Sequence, residues 1–255
     1  MIFDTHAHYD DNAFDSDRDD LLSSLINQGV ERVVNVASGM SSCITTMGLA
    51  DKYDYIYAAV GVHPEELGNI KDSDMDLIEK YCNHQKVVAV GEIGLDYHYS
   101  DIDPVIQKEY FVKQLDIARK MNKPVIIHSR DAAADTLDIL KDNKAEEIGG
   151  VIHCFSYSLE MARIYVDMGF FIGIGGVVTF KNSKKLKECV ENLPLDRLVL
   201  ETDCPYLAPE PNRGHRNDSS NLRYVVKTIA DLKGLTEENV IEQTKQNAMR
   251  LYRFI

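Results

Sequence analysis

Histidine and carboxylate side chains recur in this chain, each at the end of a short apolar segment. The most regular members of the set are His6, His8, Glu92, His128, His153 and Asp203. Their nitrogen and oxygen atoms are the donors with which proteins hold zinc and related divalent cations. One such residue alone is usually an ordinary hydrogen-bonded side chain, but burying the whole set without a cation would be very costly. The recurrence therefore predicts a metal centre.

The number of donors predicts two ions rather than one. The set exceeds the four ligands that a single zinc ion takes, and two ions that share one carboxylate would use every member. Glu92 is the natural bridge, because its segment lies between the other donors in chain order. The imidazoles favour zinc, manganese or cobalt over magnesium alone. We therefore expect two divalent cations chosen from Zn, Mn, Co and Mg.

In two of these segments, candidate residues stand two positions apart. This spacing suits either two ligands of one ion or a ligand and the residue that orients it. Residues two apart on a strand share a face, so His6 and His8 are expected about 7 Å apart along the strand and within reach of one ion. Glu201 stands in the same relation to Asp203, and Asp4 to His6. We expect Glu201 and Asp4 to orient the ligands from behind, and Glu201 could alternatively support a further ion.

The candidate ligands end the strands of a predicted α/β fold. Segments rich in Val and Ile, typical of parallel strands buried on both faces, alternate with amphipathic helical stretches. The predicted strands are Ile2–His8, Glu31–Ala37, Ile56–Val62, Val87–Gly94, Pro124–His128, Gly150–Phe155, Phe170–Val177 and Leu198–Asp203. A final helix is expected from Glu237, with Thr236 as its N-cap.

Eight strand–helix units in 255 residues favour a (β/α)₈ TIM barrel with an extra C-terminal helix, forming a single domain over residues 1–255. An open doubly wound sheet is the alternative, and periodicity does not separate the two. Barrel active sites lie at the carboxyl ends of the strands, where the candidate ligands are found.

Composition restricts the classes of function. The net charge of −13 argues against a protein that coats nucleic acid through a broad basic face. The five cysteines form no CxxC pair, which fits reduced thiols in the cytoplasm. The N-terminus does not resemble a signal peptide, and the longest apolar run is far shorter than the roughly 20 residues of a spanning helix, so no membrane association is expected.

The candidate ligands stand within longer motifs that follow one another along the chain. These motifs are Asp4-Thr5-His6-Ala7-His8, Gly61-Val62-His63-Pro64-Glu65, Gly91-Glu92-Ile93-Gly94-Leu95-Asp96-Tyr97, His128-Ser129-Arg130-Asp131-Ala132, His153-Cys154-Phe155-Ser156, Glu201-Thr202-Asp203-Cys204-Pro205-Tyr206-Leu207-Ala208-Pro209 and Arg213-Gly214-His215-Arg216-Asn217. In this order they resemble the TatD family of metal-dependent deoxyribonucleases, within the amidohydrolase-like barrels. The resemblance runs from residue 4 to residue 217, and Asn247-Ala248 extends it.

The resemblance implies a (β/α)₈ barrel with two ions. One ion would be held by His6, His8, Glu92 and Asp203, and the other by Glu92, His128 and His153. The implied reaction is hydrolysis of a phosphodiester, with single-stranded DNA as the expected partner and two cations about 3.5–4 Å apart activating water. Asp203 would be both a ligand and the acceptor of the water proton. A monomer is compatible with this interpretation.

Cationic residues around the motifs suit a nucleic-acid substrate. Arg130, Arg213 and Arg216 are candidate phosphate clamps, because guanidinium binds phosphate through two parallel hydrogen bonds. A solvated loop is the alternative for Arg213 and Arg216. His215 stands where the family often has Lys, so weaker binding of nucleic acid is expected.

His63 ends the third predicted strand and is the remaining catalytic candidate beside Glu92 and Asp203. It is expected to contact substrate or relay a proton. The alternative is a structural histidine beside Pro64.

Two other functions fit parts of this pattern. An amidohydrolase-type deacylase, acting on an acyl, ester or amide bond such as that of aminoacyl-RNA, suits the acidic surface equally well. No strand lysine is available for the carbamate bridge of many amidohydrolases, however, and the loop arginines favour phosphate. A barrel that binds metal only for stability is disfavoured, because a structural site closes with four ligands.

Overall fold

The computed structural model describes residues 1–254. Within them the strands β1 to β8 are, in chain order, Ile2–Ala7, Val30–Val36, Ile56–Val60, Val87–Asp96, Val125–Arg130, Gly150–Ile152, Phe171–Ile174 and Leu198–Leu200. The helices α1 to α9 are Arg18–Leu25, Met40–Lys52, Asp72–Tyr81, Pro104–Lys120, Ala133–Asp142, Leu159–Asp167, Lys184–Asn192, Leu222–Lys233 and Glu237–Leu251.

Strands and helices alternate along the described chain, and the strand order in the sheet follows the chain from β1 to β8. This topology is that of the (β/α)₈ barrel. The helix α9 follows the eighth unit, and the Thr236 hydroxyl caps it by accepting the Asn239 N–H. The prediction of a TIM barrel with an extra C-terminal helix is therefore confirmed.

The chain divides into two compact units. The first unit consists of residues 1–35 together with the chain from Cys154 onward, and the second is Val36–His153. In the first unit, β1 pairs in parallel with β2, β7 pairs with β8, and Ala7 forms a parallel bridge with Cys204. The expectation of a single domain over residues 1–255 stays a prediction.

The second unit consists of β3 to β6 with their helices. Its strands pair in parallel in the order β3, β4, β5 and β6. All residues of β4 are buried, as expected of a parallel strand covered on both faces. The polar side chains that follow these strands are therefore attached to a paired and buried backbone.

Two strands differ from their predicted bounds in ways that affect the site. The strand β8 ends at Leu200 and not at Asp203, because the N–H groups of Thr202 and Asp203 both bond to the carbonyl of His6. The strand β4 continues past Gly94 to Asp96. No helix of residues 1–254 is long and apolar enough to cross a membrane.

Candidate metal centre

Three predicted ligands meet in the first unit. The Nε2 atoms of His6 and His8 lie 3.0 Å apart. Oδ1 of Asp203 lies 3.3 Å from Nε2 of His8 and 3.9 Å from Nε2 of His6. We call these three residues the first cluster. Because each residue directs a donor atom to the same small volume, the arrangement fits a divalent cation.

The backbone at the end of β1 brings the first cluster together. His6 lies on β1, and the N–H of His8 donates to the carbonyl of Cys204 at 2.8 Å. Asp203 has a left-handed backbone, with φ of 57°, which aspartate tolerates better than most residues. The predicted placement of Glu201 and Asp203 on one strand face is wrong, since the chain turns after Leu200.

Asp4 supports the first cluster from within the protein. Its buried carboxylate accepts hydrogen bonds from the hydroxyl groups of Thr202 at 2.7 Å and Ser219 at 2.6 Å, and from the backbone N–H groups of His6 and Thr202. Burial raises the pKa of Asp4 to about 7, although these hydrogen bonds oppose the rise. The carboxylate thus ties β1 to the turn that carries Asp203.

Glu201 is buried in the first unit beside β7. Its Oε1 atom accepts the backbone N–H of Cys154 at 2.6 Å. A Cβ at Gly173 would collide with the Glu201 carboxylate, so the absence of a side chain there makes room for it. This placement holds Cys154, the residue next to the ligand candidate His153, at a fixed position.

Four further predicted residues meet in the second unit: His63, Glu92, His128 and His153. Oε1 of Glu92 lies 2.7 Å from Nδ1 of His128, 3.9 Å from Nε2 of His63 and 3.8 Å from Nε2 of His153. We call these four residues the second cluster. One carboxylate oxygen surrounded by three imidazole nitrogens is a donor set that fits a divalent cation.

Each member of the second cluster lies on a different strand or just after it. Glu92 lies on β4, His128 lies on β5, His153 follows β6, and His63 follows β3. The close approach of β4 to β5 depends on Gly94, whose φ is 145° and whose Cβ, if present, would collide with the carbonyl of His128.

His128 lies between two carboxylates. Its Nδ1 contacts Glu92 at 2.7 Å, and its Nε2 contacts Oδ2 of Asp96 at 2.9 Å. Burial lowers the pKa of His128, but hydrogen bonds to Asp96 and Glu92 outweigh this effect and raise it to about 9. In the absence of a cation, the ring is therefore held as an imidazolium.

Asp96 is a site residue to which the sequence analysis gave no role. It is 1% exposed, and hydrogen bonds from His128 and the following loop hold its pKa below the usual range despite burial. A signal existed, because Glu92 and Asp96 are four residues apart and a strand continued to Asp96 places both on one face.

The candidate phosphate clamps differ in their surroundings. Arg130 lies at the end of β5, and its buried Nε has no hydrogen-bond partner within residues 1–254. Arg216 forms two hydrogen bonds with the carboxylate of Asp17, at 2.7 and 2.6 Å. Arg213 lies over the ring of Phe180, 4.2 Å from its centroid. His215 is exposed. Of the three arginines, Arg130 is thus the candidate phosphate clamp whose Nε remains available to a phosphate.

The structure therefore groups all the predicted ligands, three in the first cluster and three in the second, where His63 joins them. In both clusters nitrogen and carboxylate donors face one another at close range, which fits the predicted ions. The sharing of Glu92 between two ions stays a prediction.

Comparison with known proteins gives consistent matches along the chain. Residues 3–253 match the family described as TatD related DNase. The uncharacterized metal-dependent hydrolase YabD of Bacillus subtilis is 45% identical over 99% of both chains. YcfH of Escherichia coli, also named an uncharacterized metal-dependent hydrolase, is 39% identical over 99% of this chain and 96% of its own. The crystal structure of YjjV, a TatD homolog from Escherichia coli, has a TM-score of 0.93 at 30% identity, covering 99% of this chain and 98% of that one.

Proposed function

This chain belongs to the TatD family of metal-dependent hydrolases, and from that premise we propose that it is a deoxyribonuclease that hydrolyses phosphodiester bonds in single-stranded DNA. The observation that carries the proposal is the pair of clusters. The donor atoms of His6, His8 and Asp203 lie within 4.8 Å of one another, as do those of His63, Glu92 and His128, and Nε2 of His153 lies 3.8 Å from Oε1 of Glu92. We place the enzyme in the cytoplasm, since an odd number of cysteines without a CxxC pair fits a reducing compartment.

The two clusters suggest which residues would bind each ion. His6, His8 and Asp203 would hold one ion, and Glu92, His128 and His153 the other. Bound divalent cations would supply an activated water and offset negative charge on the phosphoryl oxygens. The sharing of Glu92 by both ions remains part of the proposal.

Proton transfer is assigned to Asp203. Its side chain is 19% exposed, whereas that of His6 is 1% exposed, so it is the more open member of that pair. A carboxylate next to the reacting water can accept its proton as the bond to phosphorus forms. His63 is placed as a substrate contact or proton relay beside Glu92.

Substrate binding is assigned to the arginines. Arg130 offers a buried Nε donor, two residues after His128 on β5. A guanidinium binds phosphate through charge-assisted hydrogen bonds, which favours a phosphodiester over an uncharged amide or ester. Arg213 and Arg216 would contribute from the loop after β8, with Arg216 first released from Asp17.

A panel of substrates tests the proposal. Purified protein, stripped of metal and then loaded with Zn²⁺, Mn²⁺, Co²⁺ or Mg²⁺, would be offered single-stranded DNA labelled at the 3′ or 5′ end, RNA, an aminoacyl-RNA and simple esters and amides. We expect metal-dependent cleavage of DNA to be fastest. Much faster turnover of an acyl or amide bond would instead establish a deacylase.

A further inference from the structure

The carboxylate of Asp96 makes two different sets of contacts with its two oxygens. Oδ2 contacts Nε2 of His128 at 2.9 Å. Oδ1 accepts backbone N–H groups from the loop that follows β4, those of His98 at 2.8 Å, Tyr99 at 2.6 Å and Ser100 at 3.4 Å. The carboxylate thus joins a predicted metal ligand to a surface loop.

The position of Asp96 is itself fixed by a buried side chain of α4. Oε1 of Gln107 accepts the Asp96 N–H at 2.8 Å, and Nε2 of Gln107 donates to the Asp96 carbonyl at 2.9 Å. Gln107 is 1% exposed, so water does not compete for these bonds. The Asp96 backbone is therefore held on both sides, and its carboxylate has little freedom to turn away from His128.

These contacts require that Nε2 of His128, the nitrogen that faces Asp96, is protonated. A carboxylate accepts hydrogen bonds and donates none, and Oδ1 is already used by the loop. Nε2 of His128 must therefore donate its N–H to Oδ2. The other nitrogen, Nδ1, faces Glu92, the residue around which the second cluster is arranged.

We infer that Asp96 is a positioning residue that keeps the proton of His128 on Nε2 and so presents the lone pair of Nδ1 to the divalent cation. The inference rests on the metal centre of the proposed function. A carboxylate that receives the second N–H of a ligating imidazole fixes the ring's tautomer and orientation and increases its basicity as a ligand. Asp96 itself contacts neither cation nor substrate in this role.

The substitution Asp96→Asn separates the two functions of the carboxylate. Asparagine has one carbonyl oxygen, and the N–H groups of His98 and Tyr99 would retain it. Its NH₂ group would then face Nε2 of His128, where two donors oppose each other. The conflict is relieved when His128 moves its proton to Nδ1, which removes the lone pair needed by the cation.

Binding of Zn²⁺ would be measured on the full-length protein by competition with a chromophoric chelator. The binding step that disappears in His128→Gln identifies the second cluster. For that step we expect Asp96→Asn to weaken affinity by about 10–100-fold. Nitrogen NMR of the metal-free protein at a pH above 9, where the His128 ring is neutral, should show its proton moving from Nε2 to Nδ1, with the signals assigned by His128→Gln.

A matched control is available in the same region. Asp131 contacts Nδ1 of His98 at 2.8 Å, but 62% of its side chain is exposed. Asp131→Asn removes an aspartate–histidine pair outside both clusters, and we expect unchanged affinity. If Asp96→Asn does not fold, Asp96→Ser serves in its place, because a serine hydroxyl can still accept N–H groups from the next residues while losing contact with His128.

The outcomes separate this inference from the proposed function. Wild-type affinity and an unchanged His128 tautomer in the folded Asp96 variants would overturn the inference alone. If Asp96→Asn binds Zn²⁺ more weakly while the wild-type protein cleaves no DNA, the inference is supported and the proposed nuclease function is overturned. A wild-type protein that binds no Zn²⁺ would overturn both.

Discussion

The Nε2 atoms of His6 and His8 lie 3.0 Å apart, within hydrogen-bonding distance. Two neutral imidazoles facing each other in this way can share only one proton, and the Asp203 carboxylate lies 3.3 Å from the second ring. A cation in contact with these three residues would satisfy all the donor atoms together. Removing one of the two imidazoles therefore tests directly whether the first cluster binds a cation.

Replacement of His8 by alanine should remove one of two bound ions. His6 and Asp203, even with the shared Glu92, are fewer than the four ligands that zinc takes, so binding at this cluster weakens. We expect one equivalent of metal in place of two, measured by elemental analysis after dialysis, and at least about 100-fold slower hydrolysis. His84→Ala is the control, since His84 pairs with Asp51 outside both clusters. Two retained equivalents in His8→Ala would contradict the assignment.

Asp203→Asn should separate metal binding from catalysis. The amide oxygen can still act as a weak ligand, but the side chain no longer accepts the proton of water. We expect kcat to fall by about 10²–10⁴-fold while some metal remains bound. Asp196→Asn, in the segment before β8, is the matched control. A fully active Asp203→Asn enzyme would refute the assigned role.

The stability of metal-free protein should depend on His128. Burial and the nearby His153 lower the pKa of His128, but hydrogen bonds to Asp96 and Glu92 outweigh them and raise the pKa from 6.5 to about 9. Because the folded-state pKa is raised, the stabilisation is complete below pH 6.5 and is lost as pH rises through about 9. The complete contribution of this pKa shift to the free energy of unfolding is about 3 kcal/mol.

Urea denaturation at several pH values measures this effect. The free energy of unfolding of metal-free wild type should decline between pH 6.5 and 9 more steeply than that of His128→Gln. The difference between the two proteins reports the contribution of the imidazolium together with its coupling to Asp96, Glu92 and His153. Curves that run parallel through this interval would show that His128 is not held in its charged form.

Arg130→Ala should weaken binding of DNA with little effect on stability. The Arg130 Nε has no hydrogen-bond partner within residues 1–254, and its guanidinium lies 5.8 Å from the ring centroid of the exposed Tyr99, so little internal stabilisation is lost. Loss of a charge-assisted hydrogen bond to phosphate predicts a KM about 10–100-fold higher. Arg223→Ala on α8 is the control. An unchanged KM would exclude Arg130 from the substrate site.

Arg216 shows why contacts between distant residues could not be predicted. Its type and loop position indicated a phosphate clamp, yet Asp17, 199 residues away, holds the guanidinium. No local pattern indicates such a partner. Arg216→Ala should consequently change KM less than Arg130→Ala does.

The grouping of the candidate ligands, in contrast, could be predicted because regular strands bring their side chains together. A parallel α/β fold places strand ends at one edge, so His128 and His153 needed only correct strand assignments. Asp96 was missed because β4 was expected to end at Gly94, two residues too early. The position of Asp203 was found although its strand was wrong, since the left-handed turn after Leu200 still directs it toward His8.

Anomalous diffraction from crystals of the protein loaded with Zn²⁺ tests the central claim most directly. We expect one anomalous peak in contact with His6, His8 and Asp203, and another in contact with Glu92, His128 and His153. Absence of a peak at either cluster, or an electron-density map in which one of these imidazoles points away from the ion, would contradict it.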